Sequence, residues 1–140
     1  LRGGTENVPA CAGMGAAAAA VGTVSPDPRD ALEAACRALG AVVLGAEAPR
    51  LPNTVTALFD VPGDLLVMGL DLDGIAASTG SACSSGAAQE SHVLTAMGLS
   101  GVPLRLSTGW DTPTQIPEAV AALGAVVART RAAVGEEPCA

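Results

Sequence analysis

Cys83 stands in the stretch Ser78-Thr79-Gly80-Ser81-Ala82-Cys83-Ser84-Ser85-Gly86, among small polar residues and two glycines. A free cysteine usually packs as a small core hydrophobe. This one has almost no apolar sequence neighbours to be buried with. Gly80 and Gly86 loosen the backbone, and the hydroxyl residues add no bulk. The expectation is an accessible thiol, because a reactive cysteine needs solvent access and a structural one does not. Arg105, in Leu104-Arg105-Leu106-Ser107, is the sole charge between Glu90 and Asp111. A guanidinium fork suits a planar carboxylate; the plain alternative is an arginine on a solvated strand face. His92 is the only histidine and follows Cys83 at the start of a separate short helix. It reads either as a base that lowers the thiol pKa or as a solvent-facing or capping residue, and its separation favours the second. Thr5 or Asn7 is placed to cap the first helix.

The elements that must hold these groups follow from periodicity. A glycine-rich turn, Arg2-Gly3-Gly4-Thr5-Glu6-Asn7, precedes a helix from about Pro9 to Val21, with Pro9 in its first turn and a helix-favouring alanine run behind it. After the break at Ser25-Pro26, Asp27 is expected to cap a helix carrying Pro28 at its first position. Leu32, Ala35, Cys36 and Leu39 recur at helical spacing, which puts Cys36 on the buried stripe, and Gly40 ends that helix. Short strands are expected at Ala41 to Leu44, Thr54 to Phe59, Ile75 to Ala77 and Val102 to Ser107. Asn53 shapes the turn before the second of these. Helices are expected from Asp64 to Leu72, closed by Gly74, and over Ser91 to Gly98. The last begins near Thr112 or Thr114 and buries Ile116, Val120, Leu123 and Val127. Gly135 to Ala140 reads as a disordered tail, with Cys139 incidental. The pattern implies an α+β fold, a small and mostly antiparallel sheet covered on one side by helices.

Bulk properties narrow the functions. The chain has 140 residues, enough for one domain with a modest core, and holds one Phe, one Trp and no Tyr. Seven arginines face fourteen acids for a net charge of −7, with no basic cluster, which argues against nucleic acid as a partner. Cys11, Cys36, Cys83 and Cys139 form no CxxC or CxxH pair, so neither a zinc site nor a disulfide framework is expected. A reducing cytoplasm suits a thiol that must stay reactive. The uncharged run from Val8 to Val24 is rich in Ala and Gly, contains Pro9, and is too short for a membrane span.

Four ordered motifs carry a family resemblance. Ser78 to Ser85, followed by Ser91-His92-Val93-Leu94 and Ala96-Met97-Gly98, resembles the active-site loop of the cysteine desulfurases. Arg2 to Asn7, Leu51-Pro52-Asn53-Thr54 and Leu104-Arg105-Leu106-Ser107 agree in the same order. The resemblance covers nearly the whole chain but only the C-terminal part of the family's usual length. It implies the small C-terminal domain of a fold-type I enzyme dependent on pyridoxal 5'-phosphate, which takes sulfur from L-cysteine and leaves L-alanine. In that family the cysteine at position 83 becomes a persulfide and passes sulfur to an acceptor protein for iron–sulfur cluster or thio-cofactor synthesis. Arg105 would grip the substrate α-carboxylate. Thr5 would reach across a homodimer to the partner's cofactor phosphate, a task suited to a hydroxyl at a helix start. The family's acid–base histidine comes from the larger domain, which supports the bland reading of His92. Two connections, 40–51 and 98–104, are shorter than is usual, and the second bears on how Arg105 sits relative to Cys83.

There is no lysine in the chain, so the Schiff-base anchor for pyridoxal phosphate cannot come from it. The sequence also opens on Leu1 inside a motif, and the expectation is a C-terminal portion whose cofactor-bearing large domain lies on other sequence. The expected organisation is a linker helix with the phosphate motif over 1–24, the small domain with the catalytic loop over 25–135, and a tail over 136–140. Competing readings are a non-catalytic sulfur carrier or partner-binding domain, and a selenocysteine lyase-like fragment.

Overall fold

The structure, a computed structural model, describes residues 3–80, 91–109 and 113–135. The helices are α1 (Val8–Ala19), α2 (Asp27–Ala38), α3 (Gly63–Leu72), α4 (His92–Ala96) and α5 (Ile116–Gly135). The strands are β1 (Val42–Val43), β2 (Thr54–Leu58), β3 (Ser78–Thr79) and β4 (Leu104–Ser107). They form one sheet in the order β1-β2-β4-β3, every neighbouring pair antiparallel. β2 and β3 therefore run parallel to each other with β4 between them, and α3 makes the crossover. Both edge strands have two residues, too short to template further pairing.

Alternation along the strands gives the sheet two unlike faces. Val43, Val55, Ala57, Leu104 and Leu106 are buried under the helices, where they join Leu32 and Cys36 of α2, Leu66 and Leu70 of α3, and Leu123, Val126 and Val127 of α5. Fully burying each such leucine contributes roughly 1.5–3 kcal/mol, so this one layer of contacts accounts for the helices lying where they do. The α+β architecture expected from the sequence, helices on one side of a small antiparallel sheet, is the one observed. The opposite face carries Thr54, Thr56, Ser78, Arg105 and Ser107, all half-buried or exposed.

Several local expectations shift. Asp27 does not cap α2 but begins it; its amide donates to Ser25 Oγ at 3.2 Å, and Asp27 and Asp30 both sit in the first turn, where the helix dipole favours acids. The third strand is Ser78–Thr79, not Ile75 to Ala77. Gly74 takes φ +77°, and Ile75 N–H bonds back to Leu70 C=O at 2.8 Å to finish α3, so the chain meets β4 only at Ser78. Ile75 and Ala77 pack against the core instead. The last helix is preceded by a 3-10 turn, Pro113–Gln115, and buries Val126 where Val120 was expected, Val120 being half-buried. The boundaries of α1, β1, β2, α3, α4 and β4 fall within two residues of those expected. Every described residue up to Thr23 is exposed, including all of α1. Among the described residues, no helix is long and apolar enough to cross a membrane.

Candidate active site

Arg105 occupies the middle of β4, and the alternation of that strand sends it to the open sheet face while Leu104 and Leu106 fill the core. The strand is anchored at both ends. Before it, Gly63 N–H donates to Val102 C=O at 3.1 Å, and a Cβ on Gly63 would stand 2.4 Å from that oxygen, so only glycine allows this approach. After it, Thr108 N–H donates to Asn53 C=O at 2.9 Å and the Asn53 side-chain amide donates to Thr108 C=O at 3.1 Å. Asn53 thus shapes its turn, as its position suggests, and also ties the starts of β2 and the end of β4 together. The buried Thr108 was not singled out from sequence, because nothing local marks it as the partner of a residue so far upstream.

The charge pattern separates Arg105 from its kind. Arg29 pairs with Asp30, Arg37 and Arg50 with Glu33, Arg129 with Asp73, and Arg131 with Asp60. Arg105 is the one described arginine whose side chain makes no ion pair or hydrogen bond with another described residue, and it is exposed. In an acidic chain, an unpaired guanidinium on an open face leaves all five donors available for a ligand. Facing it across the sheet are Thr56 of β2 and, on β3, Ser78. Gly80, the last described residue before Cys83, lies against Pro103, just before β4: a Cβ built on it would stand 3.5 Å from Pro103 Cγ, an ordinary contact. Cys83 itself lies outside the described residues, as does Cys139.

Thr5 is exposed and its hydroxyl makes no bond among the described residues. The capping question between Thr5 and Asn7 is resolved for Asn7, whose Oδ1 accepts from Ala10 N–H at 3.1 Å. His92 opens α4, exposed, after the N-cap residue Ser91. Cys36 is fully buried, and burial together with the nearby Glu33 charge pushes its thiol up to about 11, so it is inert as the sequence implied. Cys11 is exposed on α1. A shallow cleft of about 200 Å³ lies elsewhere, lined by Asp30, Glu33, Ala34, Arg37 and Arg50. Partial burial there pushes the Glu33 carboxyl up, but the bonds from Arg50 and Arg37 outweigh it and hold the group below its ordinary value. Among the described residues, no cluster of His, Cys, Asp and Glu is arranged to hold a metal ion.

The architecture is that of a solved NifS-like protein, matched at a TM-score of 0.58 with 24% identity over 74% of this chain and 27% of that one. No family model matches the sequence. Curated relatives do. A cysteine desulfurase of Cereibacter sphaeroides is 39% identical over 94% of this chain and 37% of its own length. Another, of Rhodobacter capsulatus, is 48% identical over 69% of this chain and 27% of its own length. The chain belongs to the cysteine desulfurase family and corresponds to its C-terminal part. It spans about a third of the length of the curated relatives it matches.

Proposed function

We propose that this chain is the C-terminal portion of a pyridoxal-phosphate-dependent cysteine desulfurase, supplying the substrate-carboxylate ligand and the sulfur-accepting thiol to a cofactor held elsewhere. The observation that carries this reading is Arg105, unpaired where every other described arginine is paired, on the open face of the sheet and beside the strand that precedes Cys83.

The residues fit the cofactor in part. Asn7 takes the capping task, so the Thr5 hydroxyl is free to donate to a phosphate, and in a homodimer that phosphate would be the partner's. The chain has no lysine to hold the cofactor's carbonyl carbon. When bound, pyridoxal phosphate supplies an electron sink for bond breaking next to the amino-bearing carbon. Arg105 orients L-cysteine by its carboxylate with two parallel N–H bonds. The Cys83 thiolate then attacks the substrate sulfur: a sulfur–sulfur bond forms, the carbon–sulfur bond breaks, and the electron pair left on carbon takes up a proton to give L-alanine. The resulting persulfide passes its outer sulfur to an acceptor protein, for iron–sulfur cluster or thio-cofactor synthesis, and a glycine- and serine-rich stretch suits that movement. His92 takes no part in this scheme.

The test is reconstitution. The chain with L-cysteine and pyridoxal phosphate is expected to form no alanine, and to form it once the lysine-bearing part is added. Turnover by the chain alone would overturn the proposal. The absence of lysine also favours a second reading, a non-catalytic sulfur carrier or partner-binding domain, and silence of the reconstituted mixture would support it.

A further inference from the structure

A carboxylate held by both prongs of the Arg105 fork uses two of its five donors. In solution, water satisfies the other three. Once substrate and a cofactor-bearing surface cover the open sheet face, that water is lost, and donors left without acceptors become costly. The strand register supplies acceptors. Thr56 and Ser78 stand directly opposite Arg105, one on each neighbouring strand. Directly opposed residues project from the same face with Cβ atoms about 4.5–5.5 Å apart; the Arg105 guanidinium bonds neither hydroxyl as it stands, and a turn of its side chain toward β2 or β3 would bring an inner nitrogen to one. Both are half-buried, and neither hydroxyl has a partner among the described residues. The row beside it behaves differently, since the Thr54 and Ser107 hydroxyls lie 3.3 Å apart and bond each other, and Thr54 Oγ1 also lies 3.5 Å from Asn53 Oδ1. Among the described residues, hydroxyls without a partner therefore stand beside the guanidinium, and the next pair along is already bonded.

We propose that Thr56 and Ser78 are positioning residues for Arg105, their hydroxyl oxygens accepting the N–H groups not spent on carboxylate and so fixing the fork for an α-amino acid substrate. This rests on the reading of Arg105 as the carboxylate ligand. Neither residue touches the reacting atoms, so their loss weakens binding without slowing chemistry.

The experiment uses the complete, cofactor-loaded protein with Thr56→Val, Thr56→Ser, Ser78→Ala and Arg105→Ala. KM and kcat are measured for L-cysteine and for cysteamine, which lacks the carboxylate, and L-alanine binding is followed by the bound cofactor's absorbance. Thr56→Val keeps the size and branching that suit a strand, so folding is not at issue. Thr56→Val and Ser78→Ala are each expected to raise the L-cysteine KM and the L-alanine Kd about ten- to a hundredfold, as for one bond to a charged group. The kcat should hold, cysteamine should be unaffected, and Thr56→Ser should restore binding. If Arg105→Ala abolishes the preference for L-cysteine over cysteamine while Thr56→Val and Ser78→Ala leave it intact, this inference alone fails. If Arg105→Ala also leaves the preference intact, the carboxylate reading falls with it.

Discussion

Gly69 lies where α3 crosses α5, and a Cβ built on it would stand 2.6 Å from Val126 Cγ1. Two effects of Gly69→Ala oppose each other. Replacing a helix-interior glycine by alanine favours the helix by up to about 1 kcal/mol. Forcing a methyl into a filled contact costs about 1–3 kcal/mol. Val126 cannot easily give way, because it is 1% exposed and a β-branched side chain in a helix has one strongly preferred rotamer. The overpacking should win, leaving a net loss of about 1 kcal/mol. With an m-value of about 1.5 kcal/mol/M, that loss lowers the urea midpoint by about 0.7 M. Val126→Ala alone should also destabilise, since it empties a core position. In the double variant the new methyl occupies the space that Val126 vacates, so the pair should be less damaging than the sum of the singles by about 1 kcal/mol. The assay is urea unfolding followed by circular dichroism for all four forms. A raised midpoint for Gly69→Ala, or strict additivity in the double variant, would refute the packing argument.

Glu33 has a depressed folded pKa, so the stability it contributes is present above the unfolded value of about 4.3 and is lost as pH falls through the folded value. The midpoint difference between the natural chain and Glu33→Gln should therefore shrink between about pH 6 and pH 3; a constant difference would contradict the assignment. Alkylation of the native chain at about pH 8 should label Cys11 and spare Cys36, whose thiol is buried and raised to about 11; Cys36 should react only in denaturant. Arg131 donates to both Asp60 oxygens and to Leu39 C=O at 2.8 Å, yet the pair is exposed, so Asp60→Asn should move the urea midpoint by less than about 0.7 M.

Local signals were legible where a residue's own neighbours decide its place. Leu104 and Leu106 inward with Arg105 and Ser107 outward is a period of two, and Leu32 with Cys36 is a helical stripe; both are as the pattern implies. The register that sets Thr56 and Ser78 against Arg105 depends on strands far apart in the chain, which periodicity does not report. For the same reason the third strand was expected three residues early: Ile75 and Ala77 have strand-like side chains, but the capping bonds that finish α3 hold that stretch away from β4. The long ion pairs, Arg129 with Asp73 and Arg131 with Asp60, had no sequence signal at all. Cys83 falls outside the described residues, so its accessibility still rests on the composition of its loop.

The most direct measurement is the mass of the Cys83 peptide after the complete, cofactor-loaded protein has met L-cysteine with no acceptor present. One added sulfur atom on that peptide is expected, lost on treatment with a reducing thiol and absent in Cys83→Ser, which should still bind L-cysteine. Added sulfur on Cys11 or Cys36 with Cys83 unmodified, or undiminished sulfur release by Cys83→Ser, would contradict the account.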